Sequence, residues 1–264
     1  MKISAVMPIH NEGKYLPYSL KSMLNAPLDE LIFILDRCSD NSEQIIKKFS
    51  KITPYPTVIL EKKDQKWRCP TAENYEIGFN LAKMDIIFSL AGDCIYDSTI
   101  FNSQNFSDAD LVSFMYWNLN LFSSLHIHEW YENFLKTYFN LTHLWEGELG
   151  YRSGIFGIKR SVWSQLHFKD VPSEYDDLMR RVIKSNYTYK FMKEAKNYHL
   201  RAGLMQGRQE LQGMSRAQNL DRYPLWKVIT HSFLHFKPYV LTSYLRERKY
   251  HIYKRRKWSK EGLT

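Results

Sequence analysis

The sequence predicts an α/β fold: a mixed, mainly parallel sheet flanked by helices, followed by a basic helical extension. Three observations predict it. Short β-rich apolar runs alternate with longer amphipathic patterns over the first hundred residues, as expected of strands joined by right-handed helical crossovers. Hydrophobic residues make up 44% and aromatics 15% of the 264 residues, enough to bury a core of one sizeable domain. The excess of Lys and Arg behind the +9 formal charge lies from Arg201 onward, where the chain ends in RERKYHIYKRRKWSK.

Each element follows from its local pattern. KISAVMPI predicts a first strand, and Leu16, Leu20, Met23 and Leu24 give Asn11 to Asn25 the spacing of an amphipathic helix. LDELIFILD predicts a second strand. Asp40, Asn41 and Ser42 are capping residue types ahead of Ile45, Ile46 and Phe49, so a helix starts near Ser42. TVILEKK is a third strand, TAENYEIGFNLAKM a helix and DIIFSLAGD a fourth strand. Beyond Asp97, ADLVSFMYWNLNLF reads as a strand, EWYENFLKTYFNLTHLW as a helix and YRSGIFGIKRSVWSQL as a strand feeding a helix. After the loop VPSEYDD come a helix, DDLMRRVIKSN, and a strand, YTYKFMKEAKNYHLR. The last sixty or so residues read as helical.

Several function classes drop out. Cys38, Cys69 and Cys94 are odd in number and widely spaced, which argues against a disulfide framework and a structural zinc site and points to a reducing, cytoplasmic setting. MKISAVMPIH is too short an apolar stretch for a signal peptide, and no window supplies a membrane-spanning run. There is no GxGxxG after the first strand and no GxxxxGK[ST], so the common glycine-rich phosphate cradles are absent. The positive charge favours anionic partners.

Ligands of such sheets sit beyond the carboxyl ends of the strands. That rule gathers His10 to Glu12, Asp36 to Asp40 and Asp93 on one rim. Carboxylates there can accept hydrogen bonds from a base or ribose while a divalent ion handles phosphates. Asn11 and Asp40 can equally be helix caps, and Asp97 reads as a cap before the next segment.

At these residues the chain resembles the family 2 glycosyltransferases of the GT-A fold. The resemblance rests on four segments in order: VMPIHNEGKYL, ILDRCSDNS, TAENYEIGFNLA and an apolar strand ending in AGD. It spans Lys2 to Arg201 and implies a nucleotide-binding half over 1–97, an acceptor half over 98–200 and a separate basic extension over 201–264. It implies that Pro8, His10 and Glu12 line the base and ribose pocket, with His10 in the place of a tyrosine, and that Asp36 contacts the base. Asp93 aligns with the second aspartate of Asp-x-Asp and would hold the diphosphate and a Mg²⁺ or Mn²⁺ ion. Ala91 stands where the first aspartate would be.

The resemblance further implies a catalytic base in PSEYDDLMRRVIKSNY. Aligning Leu178 and Arg181 makes Asp176 the expected base, with Glu174 and Asp177 as reserves. An inverting transfer needs that carboxylate to take the acceptor hydroxyl proton, although acids in a first helical turn also suit the helix dipole. His199 would complete the metal site, or is structural. Trp145, Glu146 and Gly150 to Gly154 fall where the family shapes its acceptor pocket.

The implied reaction moves a sugar from a nucleotide-diphosphate donor, with UDP the expected carrier, to a hydroxyl of a glycan or lipid-linked acceptor. Arg201, Arg208 and Arg216 are interleaved with apolar positions and the tail mixes basic and aromatic residues, so a peripheral placement on an anionic inner membrane face stands beside a plain solvated helix. Nucleic acid is not expected as a partner of the enzyme. Two other readings stay open: a nucleotidyltransferase of the same fold, which would want more basic residues after the first strand than Lys14, and a basic nucleic-acid or membrane-surface module with a degenerate site.

Overall fold

The computed structural model describes residues 1–119, 130, 131, 133, 134, 137, 154–171, 174–201, 224–234 and 238–258. They divide into two compact units, the first comprising Met1–Asp170 with Glu174–Ala202 and the second Val171–Ser173 with Gly203–Thr264.

In the first unit the strands are β1 (Ile3–Ile9), β2 (Glu30–Asp36), β3 (Thr57–Lys62), β4 (Ile86–Ser89), β5 (Cys94–Ile95), β6 (Leu111–Asn118), β7 (Phe156–Lys159) and β8 (Tyr189–His199). Among the described residues they form one sheet in the order β3-β2-β1-β4-β7-β6-β8-β5. β3, β2, β1 and β4 run parallel. β7 then pairs antiparallel with both β4 and β6, while β6 and β8 are parallel. The helices are α1 (Leu16–Met23), α2 (Ser42–Phe49), α3 (Pro70–Leu81), α4 (Arg160–Leu166) and α5 (Glu174–Lys184).

β1, β2 and β4 are buried on both faces, which is why their sequences are continuous apolar runs rather than alternating ones. One core, around Met7, Phe33 and Phe88, is shared with Leu16 and Leu20 of α1 and Ile46 of α2. The opposite face packs Val6, Ile34 and Ile87 against Phe79 of α3, Trp163 of α4 and Leu178 of α5. Burying such side chains contributes about 1.5–3 kcal/mol each.

The helix after β1 starts later than its apolar spacing suggests. Residues 12–15 form a turn, with the amides of Tyr15 and Leu16 donating to Glu12 O, and Pro17 sits in the first helical turn, where its missing amide costs nothing. Asp97 caps the short 3-10 turn Ser98–Phe101 by accepting from Thr99 N at 2.9 Å. Within the expected helix over EWYENFLKTYFNLTHLW, residues 130, 131, 133, 134 and 137 are helical, and the rest lies outside the described residues.

The second unit contains α6 (Leu225–Leu234) and α7 (Pro238–Trp258). Val228, Val240 and Tyr244 form its small core. Trp226, Phe233 and Leu245 are exposed. No helix among the described residues is long and apolar enough to cross a membrane.

Candidate active site

The loops after β1 and β2 are laced together at the carboxyl end of the sheet. Asn11 (φ 55°) accepts from Ser39 N at 2.7 Å through Oδ1. Asp40 Oδ2 accepts from Gly13 N at 2.9 Å, and its Oδ1 from Ser42 N at 3.0 Å. Ser42 Oγ accepts in turn from Glu12 N at 2.9 Å. A Cβ on Gly13 would fall 1.9 Å from Asn41 Oδ1 and 2.9 Å from Asp40 Oδ2, so a larger residue would push these fastening side chains aside. Asn11 and Asp40 therefore act as fasteners between loops rather than as groups aimed at a ligand.

Behind this lacing lies a buried polar network. Asp36 accepts from Arg37 Nε at 2.7 Å and from Asn74 Nδ2 at 2.9 Å. Lys62 Nζ donates to Asn74 Oδ1 at 2.7 Å and lies 2.8 Å from Glu73 Oε2 and 3.7 Å from Asp36 Oδ2. Burial works against the Asp36 charge, but the bonds from Arg37 and Asn74 and the Lys62 charge outweigh it and hold the carboxyl below its usual range. His10 Nδ1 lies 2.6 Å from the Asp36 carbonyl oxygen. A carbonyl only accepts, so Nδ1 carries the hydrogen and Nε2 of the exposed ring keeps its lone pair when the ring is neutral. Pro8 sits within β1, paired with Ile34.

The turn after β4 is held by backbone contacts. Tyr75 hydroxyl donates to Leu90 O at 2.9 Å. The Tyr96 hydroxyl donates to Ala91 O and accepts from Ala91 N, both at 2.6 Å. Gly92 lets Glu12 close in, since a Cβ there would lie 3.2 Å from Glu12 Cβ and 2.8 Å from Ile9 Cδ1. Immediately afterwards, Cys94 pairs with His199 across β5 and β8, and Leu200 N donates to Asp93 O at 2.8 Å. The end of β8 is thereby stitched to the turn that carries Asp93.

That stitching gathers four charged or titratable side chains from three segments. His199 Nε2 lies 3.1 Å from Asp93 Oδ2. Arg201 Nη2 donates to both Glu12 oxygens at 2.6 Å, and its Nε lies 3.1 Å from Asp93 Oδ2. The guanidinium also stands 5.3 Å from the centre of the Tyr15 ring, within cation–π range. Burial, then the Asp93 charge, pushes the Glu12 carboxyl up to about 7 against the pull of Arg201. Burial also acts against charge on Asp93, but the His199 hydrogen bond and the His199 and Arg201 charges win and hold it below the ordinary range.

α5 opens on Glu174, Tyr175, Asp176 and Asp177. Asp177 Oδ2 accepts from Arg181 Nε at 2.8 Å, and Arg181 Nη2 donates to His167 O at 2.7 Å, so Asp177 orients an anchor to the end of α4. Glu174 Oε2 lies 3.8 Å from Cys69 Sγ, at the start of α3. Desolvation, with a further push from Asp176, raises the Glu174 carboxyl to about 7. Both Glu174 and Asp93 act electrostatically on the Tyr75 phenol, which burial and these charges push upward.

The structure brings Glu12, Asp93 and His199 together and keeps Pro8, His10 and Asp36 on the neighbouring strand ends. Glu12, expected on the base and ribose side, and Arg201, expected as a tail residue, meet beside Asp93. Arg201 lies two residues beyond the end of β8, outside the alternation of the strand, so no local pattern signalled its turn toward Asp93. Trp145, Glu146, 150–153, Arg208 and Arg216 lie outside the described residues.

Among the described residues no group of three or more His, Cys, Asp or Glu is arranged to hold a metal ion. Asp93 and His199 nonetheless fit half of a shared site. They bring a carboxylate and the imidazole Nε2 within 3.1 Å of each other, two donor types such an ion accepts, and Mg²⁺ or Mn²⁺ readily draws its other ligands from substrate oxygens and water.

The fold and this rim define a GT-A type glycosyltransferase domain. Residues 4–161 match the family described as glycosyl transferase family 2, and the chain belongs to that family. No curated protein matches it significantly. Among solved structures it resembles the mannosyltransferase PcManGT from Pyrobaculum calidifontis in complex with GDP-Man and Mn²⁺, with a TM-score of 0.64 at 13% identity over 93% of this chain and 73% of that one. It also resembles glucosyl-3-phosphoglycerate synthase from Mycobacterium tuberculosis in complex with Mn²⁺, UDP and phosphoglyceric acid, with a TM-score of 0.56 at 15% identity over 84% and 79%. S. aureus TarS 1-349 in complex with UDP matches with a TM-score of 0.55 at 12% identity over 83% of this chain. The chain spans 65% of that TarS fragment. At such identities the likeness is one of fold.

Proposed function

We propose that the chain transfers a sugar, with inversion, from a nucleotide-diphosphate sugar to a hydroxyl acceptor, with a divalent ion shared between donor and protein. The observation that carries this reading is the meeting of Asp93 with His199 on the sheet rim, 3.1 Å apart, beside the loops that the family uses for its nucleotide. Asp93 and His199 would hold the ion, which supplies charge neutralisation to the leaving diphosphate when bound. His10 and Asp36 would receive the base, with the His10 ring fixed by its bond to Asp36 O.

The base that takes the acceptor proton is drawn from the first turn of α5. Glu174 suits it better than the sequence-favoured Asp176, because a carboxyl raised to about 7 matches a neutral operating pH and is still ionised often enough to act. Asp177, held by Arg181, is given a positioning role. Residues 1–97 and 98–200 are read as donor and acceptor halves. The exposed Trp226, Phe233 and Leu245, with the basic α7, support a peripheral membrane role for the 201–264 extension; liposome flotation with and without residues after Arg246 tests it.

Isothermal calorimetry with UDP and GDP, with and without Mn²⁺, tests the donor reading. Binding of either nucleotide strengthened by Mn²⁺ is expected. Failure of both to bind under any condition would sink it.

A further inference from the structure

Between Glu12 and Asp93 the chain supplies a cation of its own. Arg201 commits Nη2 to the two Glu12 oxygens. Its buried Nε lies beside Asp93 Oδ2 at 3.1 Å without forming a hydrogen bond, and Nη1 makes none among the described residues. The side chain is 38% exposed, so it remains open to solvent beside these partners. Glu12 and the Tyr15 ring hold it in one orientation.

The neighbouring position makes this cation consequential. Where an Asp-x-Asp turn would present two carboxylates, this turn has Ala91 and Asp93. Losing one carboxylate weakens any purely metal-borne attachment of a diphosphate, while the Nη1 of a guanidinium held beside the remaining one keeps its N–H donors for a phosphate oxygen. Such charge-assisted bonds are about twice as strong as neutral ones.

We propose that Arg201 is a diphosphate-binding residue, positioned by Glu12, which lets the domain hold its nucleotide donor without a divalent ion. This rests on the reading of the rim as a nucleotide-diphosphate site. The ion then adds to affinity rather than creating it. Arg201 is a binding residue in this scheme and Glu12 a positioning one.

The test uses the full chain, with UDP and GDP as probes, in EDTA and in Mn²⁺. Wild type is expected to bind one of them in EDTA. Arg201→Ala should weaken that metal-free binding by about tenfold to a hundredfold, the value of one or two hydrogen bonds to a charged group, and should make affinity depend more steeply on Mn²⁺. Arg201→Lys keeps the charge but loses the Nη1 donors and should fall between; its folding, and that of Arg201→Ala, is checked by thermal unfolding.

Two results would overturn the proposal while leaving the donor reading intact. One is wild-type binding that needs Mn²⁺ absolutely. The other is an Arg201→Ala protein that binds nucleotide in EDTA as wild type does and takes up Mn²⁺ more tightly, which would make Arg201 a plug over Asp93. Failure of wild type to bind either nucleotide even with Mn²⁺ would instead remove the donor site itself, and this proposal with it.

Discussion

The loop after β2 and the turn after β4 each place an aspartate at the end of a strand, and the two aspartates live in different company. Asp36 is surrounded by donors that belong to the fold: Arg37, Asn74 and Lys62 meet it from the same half of the sheet. Asp93 meets His199 and Arg201, brought from the far end of the chain. In both clusters some buried atoms lack a hydrogen-bond partner, Glu73 Oε2 on one side and His199 Nδ1 and Arg201 Nε on the other. What differs is exposure: the Asp36 and Lys62 side chains are 3% and 5% exposed, those of His199 and Arg201 27% and 38%. The difference separates a rim that keeps its shape from one that a ligand can reach.

Substitutions on each side sharpen that contrast. Asp93→Ala should lower donor turnover by about a thousandfold, the scale of losing a main stabiliser of developing charge, and should also lower the urea midpoint, because His199 and Arg201 lose a carboxylate that the folded state holds ionised. Turnover unchanged beside that loss of stability would move Asp93 to the shape-keeping side. Glu174→Gln should cost about a hundredfold in turnover, as expected of a lost general base, while nucleotide affinity holds. Wild-type activity should climb as pH rises through about 7, where Glu174 ionises, and the variant should lack that limb. Stability runs the opposite way, because a carboxyl raised in the folded state makes the native protein hold its proton longer. Stability is lost between about pH 4.5 and 7, a slope that Glu174→Gln reduces, leaving the share of Glu12, which is also raised to about 7.

On the other rim the expected effects are on folding. Lys62→Met leaves the buried Asp36 and Glu73 charges without their cation, at a cost of about 3 kcal/mol read by urea unfolding. An unchanged midpoint would break the picture of a self-contained network. The smallest effect is Asp40→Ala, about 1 kcal/mol for lost loop fastening, with nucleotide affinity in calorimetry staying close to wild type.

Much of the first hundred residues was legible because each element there declares itself locally. The apolar runs of β1, β2 and β4 mark strands buried on both faces, and Ser42 opens α2 where its polar cluster ends. The antiparallel placing of β7 and the two-residue β5 were not legible, since strand direction after a long excursion depends on pairing across the sheet rather than on local pattern. The same limit governed the site. Asp93 and His199 drew notice through motif and strand end, but their contact is created by the pairing of Cys94 with His199, some hundred positions apart. Arg201 was hidden by its neighbours: at the head of a basic stretch it reads as one more surface charge, and only the return of β8 to the rim turns it inward.

The hydroxyl of Tyr96 fixes both the amide and the carbonyl of Ala91, and Tyr75 and Leu200 hold the residues on either side. None of these bonds involves the side chain at position 91. The backbone there is therefore held without help from that side chain, although the Ala91 methyl packs, half-buried, against the core. Ala91→Asp accordingly trades an apolar contact for a second carboxylate, and it probes the domain's appetite for a divalent ion with the backbone bonds of the turn left in place.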